Sequence, residues 1–504
     1  MRYRSVPVLL LAFARVSIQA QSDPLKAAVT PDVQAALNGI QAAPLRGDLS
    51  YIASDELEGR DSPSHGLDLA ADYIATQFRR AGLEPGAGDS YFQIAPMLVE
   101  QPNFSNFELQ LTAGGRHFSA TEKDAVPGVT DAVDLKDEPV FKLDLTDEAL
   151  VQSLTASQVD GKVVITEIEP RLRARYRTVS RLLREAKPAL LILVDKRGFT
   201  TRERRPRQLV DPKEPDTQMT IPRVTLTGDD AARFFSALKH GEDATVSVHI
   251  AATHREPATL RNVIGVLRGS DPALRDTYVL LTAHYDHLGV RPSGPGDRIY
   301  NGANDDGSGT VSVMEVARAL AQLPKHPRRS IVFMTFFGEE EGLIGSAYYA
   351  HHPVFPLAKT VADLNLEQVG RTDSTEGPQI SNASLTGFDY SDLTSFVASA
   401  GESTGIRVYK NPRGSDDYFA ASDNFSLAEA GVPAETLCVA FDYSDYHAVG
   451  DEWQKIDYNN MAKVDRAVAL AMFLMADSTQ PVHWNENNPK TAPFVKEWKR
   501  LDQE

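Results

Sequence analysis

The sequence predicts an α/β fold in which a mixed, mostly parallel sheet is sandwiched by helices and a small α/β domain is inserted. Three observations favour this fold. Short continuous apolar segments alternate with helical segments after residue 260, and a second, shorter alternation occupies residues 130–253. The chain has 504 residues, of which 42% are hydrophobic, so it can bury a large core in two or three units.

The first predicted element is a helix in "GLDLAADYIATQFRRAGLEPG", residues 66–86. Four apolar positions between Leu69 and Phe78 recur at helical spacing, and Gly82 and Pro85 end the helix. This helix belongs to residues 21–129, which we expect to form the N-terminal part of the main domain.

The inserted domain is predicted over residues 130–253. Its strands are the apolar segments "GKVVITEIEP" and "PALLILVD", the segment "RYRTVSRLLREA" between them is a helix, and the alternating "ATVSVHI" closes the block. A basic loop, "RGFTTRERRPRQ" (197–208), lies inside it. Such a loop is typical of a solvated surface, and a lid over a nearby site is the alternative.

The main domain is predicted over residues 254–480, with residues 481–504 as a C-terminal tail. Strands are expected over 277–283, 330–337, 361–369 and 433–439, and helices over 308–323, after 342, around 387–400 and over 459–476. Continuous apolar strands separated by helices indicate a sheet that is covered on both faces.

Composition narrows the function classes. The formal charge of −17 disfavours a nucleic-acid partner, and Cys438 is the single cysteine, so no internal disulfide can form. Residues 1–20 combine a basic start, an apolar stretch too short to span a bilayer and Ala20 at a plausible cleavage point. This pattern predicts a signal peptide, a secreted or periplasmic protein and no stable membrane span after cleavage; an uncleaved anchor is the alternative.

The first strand of the main domain ends in "AHYDHLG", which carries His284, Asp286 and His287. Residues two apart in an extended chain share a face, so Asp286 can orient the imidazole of His284. His284 is therefore a candidate metal ligand, and His287 is expected to point elsewhere.

Further metal-binding side chains follow at later strand ends. They lie in "NGANDDGSG", "FFGEEEGLIGS", "NLEQVGR" and "DYSDYHAVGD". Each motif alone is compatible with a capped helix or a surface loop, but ligands of an open α/β sheet bind at the carboxyl ends of its strands. Two histidines and three carboxylates suffice for two zinc ions when one carboxylate bridges them.

In this order the motifs resemble those of the co-catalytic zinc exopeptidase family, which holds secreted bacterial aminopeptidases, glutamate carboxypeptidases and, more distantly, glutaminyl cyclases and the transferrin receptor. The resemblance covers roughly residues 260–475. The segment "GRDSPSHGLDLAADYIATQFRRAGLEPG" resembles the N-terminal helix of the same domain, and the block between them resembles a protease-associated domain.

Carried over residue by residue, the resemblance implies two zinc ions per chain. The implied ligands are His284 and Glu367 for one zinc, Glu340 and His447 for the other, and Asp305 as the bridge. The family's cis peptide bond would follow Asp305. Glu367 stands where the family has aspartate, so we expect a shifted backbone or an altered binding mode there, and Asn424 replaces a common histidine, which affects only substrate contacts.

The resemblance also implies catalytic roles. Glu339 would be the general base for a metal-bound hydroxide, and Asp286 would support His284. Tyr446 would hydrogen-bond the oxyanion, with a packed aromatic as its alternative role. By spacing alone, Glu340 as base and Glu341 as ligand fits equally well; in the preferred assignment Glu341 faces solvent.

The function implied is that of a secreted di-zinc aminopeptidase acting on peptides. A carboxypeptidase of the glutamate carboxypeptidase type is an alternative, but it needs a basic cluster for the substrate carboxylate, and only Arg371, Arg407 and Arg413 are diffuse candidates. A non-catalytic receptor-like protein on the same fold is the other alternative. The sequence predicts no particular oligomeric state.

Overall fold

The computed structural model describes residues 29–128, 131–169, 172–195, 207–213, 221–501 and 503. Its helices are α1 Pro31–Asn38, α2 Ala42–Ile52, α3 His65–Ala81, α4 Glu148–Ser153, α5 Ala156–Val159, α6 Arg173–Ala186, α7 Asp229–Ala237, α8 Gly309–Ala321, α9 Ile344–His351, α10 Leu393–Thr404, α11 Gly414–Asp417, α12 Asn424–Glu429, α13 Tyr458–Asp477 and α14 Ala492–Leu501. The predicted signal peptide lies outside the described residues.

The strands are β1 Glu84–Pro85, β2 Phe92–Ala113, β3 Arg116–Ala120, β4 Ala125–Pro127, β5 Val133–Leu143, β6 Val163–Ile168, β7 Leu190–Asp195, β8 Gln208–Val210, β9 Arg223–Thr227, β10 Ala244–Leu267, β11 Tyr278–His284, β12 Gly289–Val290, β13 Ile299–Tyr300, β14 Ser330–Phe336, β15 Thr360–Glu367, β16 Asn382–Leu385, β17 Arg407–Tyr409 and β18 Ala434–Cys438. Among the residues described, no helix has both the length and the apolar character needed to cross a membrane.

The main sheet has the strand order β17-β16-β18-β15-β11-β14-β10. Strand β11 pairs in parallel with β14 and β15, and β15 pairs in parallel with β18, whereas β10 runs antiparallel to β14. The predicted fold class, a mixed and mostly parallel sheet covered by helices, is therefore confirmed.

Both faces of this sheet are buried, which explains its continuous apolar strands. In β11, Val279 and Leu281 pack in the core under α3, α8 and α13, whereas Leu280 packs in the core on the opposite side, under α9, α12 and α14. Side chains alternate between faces along a strand, so a strand that is covered on both sides has no polar face.

The inserted unit is a second sheet with the strand order β10-β5-β6-β7-β9-β4. Strands β5, β6, β7 and β9 pair in parallel, and separate apolar cores lie on the two sides of this sheet. One of these cores also contains Phe107, Leu111 and Ala120. The unit therefore begins earlier in the chain than the expected boundary at residue 130.

Strands β2 and β10 join the two sheets. They pair antiparallel from Phe92↔Val263 to Ala113↔Ala244, with register shifts around Ala251. Only the start of β10 was predictable, because its largely exposed middle, "THREP", interrupts the apolar alternation. Strand β2 was not predicted. The predicted tail contains α14, whose Phe494 and Val495 are buried.

Candidate active site

The predicted ligands meet at one edge of the main sheet. His284 is the last residue of β11 and pairs with Phe336, the last residue of β14, while Glu367 is the last residue of β15. Parallel strands place their carboxyl ends together, so the Glu339–Glu341 loop that follows β14 lies beside both. The structure brings all five predicted ligands together.

Asp305 lies at the centre of this group. Its Oδ1 is 3.3 Å from Nε2 of His284, and its Oδ2 is 3.1 Å from Nε2 of His447. The same nitrogen of His284 is 3.5 Å from Oε1 of Glu367, and that of His447 is 3.3 Å from Oε1 of Glu340. Two groups, each of one histidine and one carboxylate, thus share the two oxygens of Asp305.

These buried atoms fit a pair of cations. Among the described residues, Nε2 of His284 and Oδ2 of Asp305 have no hydrogen-bond partner, although charged atoms lie about a hydrogen-bond length away. The close atoms therefore point past one another and not along hydrogen bonds. Packed carboxylates are costly without compensation, and imidazole and carboxylate are ligands that zinc prefers.

The backbone at Asp305 is fixed by Asp451. Oδ2 of Asp451 accepts hydrogen bonds from Asn304 N at 3.0 Å, from Asp305 N at 3.1 Å and from the Tyr443 hydroxyl at 3.0 Å. The peptide bond between Asp305 and Asp306 is cis, as the resemblance implied. Oδ1 of Asp306 accepts from Gly309 N and Gln368 N, so this carboxylate caps the start of α8 and links it to β15.

Arg60, which was not among the predicted site residues, joins the loops that carry the site. Its fully buried guanidinium donates to the carbonyl oxygens of Ile52, Tyr285, Asn301 and Gly302 at 2.6 to 3.0 Å. Burial lowers the pKa of Arg60 to about 10, which leaves it charged at neutral pH. In the sequence, Arg60 stands among polar residues in "EGRDS", and nothing there indicates that it is buried.

Asp286 lies where it was expected, beside His284, whereas His287 does not. Oδ1 of Asp286 lies 3.4 Å from Nδ1 of His284, which agrees with the expected support, and it accepts a hydrogen bond from Glu339 N at 3.1 Å. The expectation that His287 points elsewhere is wrong. Its Nδ1 is 2.8 Å from Oε1 of Glu340, and its ring centroid is 5.8 Å from that of His447. The alternation rule failed here because the chain leaves the strand at His284.

The three consecutive glutamates have different surroundings. Oε2 of Glu339 is 3.8 Å from Nε2 of His284, and burial raises the pKa of Glu339 well above its usual value. Burial by itself also raises the pKa of Glu340, but contacts with His287 and His447 bring it below its usual range. Glu341 was expected to face solvent, and this is wrong: its side chain is 13% exposed and lies 3.5 Å from Arg207.

Packing requires a glycine at the second glycine position of "GLIGS", Gly345. A Cβ at Gly345 would lie 2.2 Å from the carbonyl oxygen of Phe337, so only glycine lets α9 start this close to the end of β14. Leu343, Gln368 and His447 have φ values of 63°, 52° and 53°, which are uncommon for residues with side chains. Such residues concentrate at functional sites.

Glu367 and Tyr446 complete the site. Oε2 of Glu367 accepts a hydrogen bond of 2.7 Å from the Ser422 hydroxyl, which leaves Oε1 facing His284. The ring of Tyr446 stacks on His447 with centroids 4.0 Å apart, and the residue is 43% exposed. Asn424 is buried and bonds Phe419 and Thr436 inside the fold, so it does not line an open pocket.

Part of the chain matches a protein-family model and the sequences of known proteins. Residues 262–472 match the model of Peptidase family M28. Aminopeptidase YwaD of Bacillus subtilis (strain 168) is 34% identical over 151 residues, which are 30% of this chain and 29% of that protein. The probable glutamate carboxypeptidase LAMP1 of Arabidopsis thaliana is 26% identical over 235 residues, which are 43% of this chain and 31% of that protein. The matched stretches thus span about a third of the length of these relatives.

Solved structures extend the likeness to the whole fold. The aminopeptidase from Aneurinibacillus sp. strain AM-1 superposes with a TM-score of 0.61 at 19% identity, covering 90% of this chain and 100% of that one. BSAP, a zinc aminopeptidase from Bacillus subtilis, gives 0.52 at 20% identity, covering 86% and 95%. At these identities the superpositions establish the fold alone. The matched residues 262–472 contain all five predicted ligands, so this part of the chain is similar to peptidase family M28.

Proposed function

We propose that this protein is a secreted or periplasmic di-zinc aminopeptidase that removes N-terminal residues from peptides. The observation that carries the proposal is the arrangement around Asp305, whose two oxygens face His284 and His447 at 3.3 and 3.1 Å. A carboxylate shared in this way suits two metal ions held side by side. The names of the relatives, aminopeptidase and zinc aminopeptidase among them, agree with it.

In this proposal one zinc would be held by His284, Glu367 and Asp305, and the other by His447, Glu340 and Asp305. Zinc bound there supplies a Lewis acid that polarises the scissile carbonyl and lowers the pKa of water. Nε2 of His447 faces both Asp305 and Glu340, so His447 is assigned as the ligand. His287 contacts Glu340 and is assigned the role of positioning that carboxylate.

Glu339 is assigned the proton transfers. Its carboxylate lies beside His284, so it is close enough to the ligands to take a proton from the attacking water and pass it to the leaving amine. Proton transfer by a positioned side chain contributes about 10² to 10⁴ in rate. Asp286 holds both the imidazole of His284 and the backbone NH of Glu339, so one carboxylate fixes the ligand and the base relative to each other.

Tyr446 is assigned to the oxyanion. Its ring is held by stacking on His447, and the residue is partly exposed beside this ligand. A donor placed next to the reacting carbonyl stabilises the charge that develops in the transition state.

The basic residues weighed for a carboxypeptidase do not form a carboxylate pocket. Arg371 is buried and paired with Asp373 and Asp445 at 2.8 and 3.0 Å, and Arg413 is 77% exposed beside Glu376. The guanidinium of Arg407 lies over the ring of Tyr409. The site itself is rich in carboxylates, which suits the protonated amine of a free N-terminus better than a substrate carboxylate.

The proposal is tested with aminoacyl p-nitroanilides, their N-acetylated counterparts and N-acylated peptides ending in glutamate. We expect cleavage of the free aminoacyl substrates only, loss of activity with a chelator and recovery with zinc. Equal cleavage of blocked substrates excludes an aminopeptidase, cleavage of the glutamate-ending peptides alone identifies a carboxypeptidase, and no cleavage at all supports a binding protein. Export is tested separately by the N-terminal sequence of the protein outside the cytoplasm.

A further inference from the structure

A short segment of the inserted unit packs on the main domain. Residues 207–213, here called the strap, lie between β7 and β9, two strands that are neighbours in the inserted sheet. Within the strap, β8 pairs antiparallel with the Leu98–Glu100 part of β2. Leu209 is 2% exposed and belongs to the core of the main domain.

The strap touches the main domain at two further points. Nε2 of His352, which follows α9, is 2.9 Å from Oδ2 of Asp211. At the other end, the guanidinium of Arg207 lies between two carboxylates: its Nη2 contacts Oδ1 of Asp61 and is 3.5 Å from Oε1 of Glu341. The strap is thus held by a strand pair, a buried leucine, the contact of Asp211 with His352 and the ion pairs of Arg207.

Arg207 links three parts of the chain that are far apart in sequence. Asp61 is followed by Ser62, whose hydroxyl accepts a hydrogen bond of 3.1 Å from Gly338 N. Gly338 and Glu341 bracket the loop that carries Glu339 and Glu340. Ser62 therefore holds the Gly338 end of this loop. Arg207, which also contacts Asp61, holds the Glu341 end.

The charge at this place has a physical consequence. Three consecutive carboxylates repel one another, and the side chains of Glu341 and Arg207 are only 13% and 20% exposed, so water screens them weakly. A cation bound to Glu341 offsets the repulsion and limits the positions that this end of the loop can take. Arg207 is that cation, and its Nη2 contacts both Glu341 and Asp61.

We propose that Arg207 is a positioning residue that the inserted domain supplies to the active site. By bridging Asp61 and Glu341 it fixes the Glu339–Glu341 loop, so that the carboxylate of Glu339 stays beside His284 and that of Glu340 beside His447. The inference rests on the proposed function, in which Glu339 is the general base. It gives the inserted domain a part in catalysis.

The first test compares Arg207→Ala and Arg207→Lys with Arg233→Ala. Arg233 is a matched control because it belongs to the inserted unit, is 71% exposed and pairs with Asp230 on its own helix. We expect Arg207→Ala to lower kcat by about 10- to 100-fold, the size typical for partners that orient functional groups, with KM within about twofold and zinc content unchanged. Lysine should recover much of the loss, and Arg233→Ala should match the wild type.

The second test asks whether Arg207 acts through Glu341. In the Glu341→Gln background we expect Arg207→Ala to cost much less than in the wild type, because residues of one ion cluster are not additive. Independent, multiplying effects would overturn the proposal. So would a raised KM with unchanged kcat, which identifies Arg207 as a substrate-binding residue.

A readout without activity separates this inference from the proposed function. The amides of Gly342 and Leu343 donate to the carbonyl oxygen of Glu339 at 2.8 and 2.9 Å, so their hydrogen exchange reports how well the loop is held. Faster exchange in Arg207→Ala than in Arg233→Ala supports the positioning role even if the wild type cleaves no peptide. Unchanged exchange and unchanged kcat in an active enzyme would refute the positioning role alone.

Discussion

The hydroxyl of Ser422 donates a hydrogen bond of 2.7 Å to Oε2 of Glu367, and Oε1 of the same carboxylate lies 3.5 Å from Nε2 of His284. Asn365 in turn donates to Ser422 at 2.8 Å. Glutamate has one more rotatable bond than the aspartate expected at this position. The hydrogen bond from Ser422 limits this added freedom and leaves Oε1 facing His284.

Ser422→Ala should therefore weaken zinc binding without unfolding the protein. Loss of a group that orients a ligand typically lowers metal affinity about 10- to 100-fold. Competition with a chelator measures the affinity, and Ser403→Ala serves as the control, because the Ser403 hydroxyl bonds only a carbonyl of its own exposed helix turn among the described residues. An affinity equal to that of the control would show that Glu367 is held by other contacts.

Glu339→Gln should keep both zinc ions and lose activity by about 10² to 10⁴, because the amide cannot accept a proton from water. Elemental analysis and steady-state kinetics on the same sample check the two parts. Near-normal turnover would show that the base is another residue, and the first candidate would then be Glu340.

The zinc content of two variants distinguishes the roles of His447 and His287, which both lie near Glu340. His447→Ala should leave about one zinc per chain, since the group of His284, Asp305 and Glu367 stays complete, while His287→Ala should retain two. Reconstitution with zinc followed by elemental analysis gives the numbers. The opposite result would assign the second zinc to His287, whose Nδ1 is 2.8 Å from Glu340.

Arg60→Lys should destabilise the loops around Asp305. The guanidinium serves four buried carbonyl oxygens, and an ammonium cannot reach them all in the same geometry. Leaving such groups unpaired costs about 1 to 3 kcal/mol each. We expect a lower unfolding midpoint and reduced zinc retention after dialysis, with Arg46→Lys as the surface control; equal midpoints for the two variants would contradict this role.

Glu435 should make stability depend on pH. Burial raises the pKa of Glu435 to about 8, although the hydroxyls of Ser391 and Thr394 donate to its carboxylate at 2.6 and 2.8 Å. Between pH 4.5 and about 8 the folded chain holds a proton that the unfolded chain releases, so stability falls as pH rises through this window. Each pKa unit corresponds to about 1.4 kcal/mol.

Glu435→Gln mimics the protonated carboxyl. Its unfolding midpoint should therefore change less between pH 5 and pH 8 than that of the wild type. Glu56→Gln, at an exposed position, is the control and should keep the wild-type slope. An unchanged slope in Glu435→Gln would show that this carboxyl is ionised in the folded protein.

Several elements were predictable because their signals are local. Helix α3 was predicted from its apolar spacing, and it ends before Gly82, whose φ is 83°, as its sequence indicated. The strands β11, β14, β15 and β18 were recognised because both of their faces are buried, which makes them mostly apolar along their whole length. Strand β2 was missed, because its polar residues face partly exposed surfaces and its partner β10 follows more than 130 residues later.

By itself, the sequence determined which residue types stand at the ends of which strands, and parallel pairing then requires His284, Glu339, Glu340 and Glu367 to meet at one edge. It could not determine which of two adjacent side chains enters that edge, as His287 and Glu341 show, since this depends on where the chain leaves the strand and on what packs against it. Only the tertiary structure brought Arg60, Ser422 and Arg207 to the site. They come from a buried turn, a loop and the inserted unit, and contacts between distant segments have no period in the sequence that could predict them.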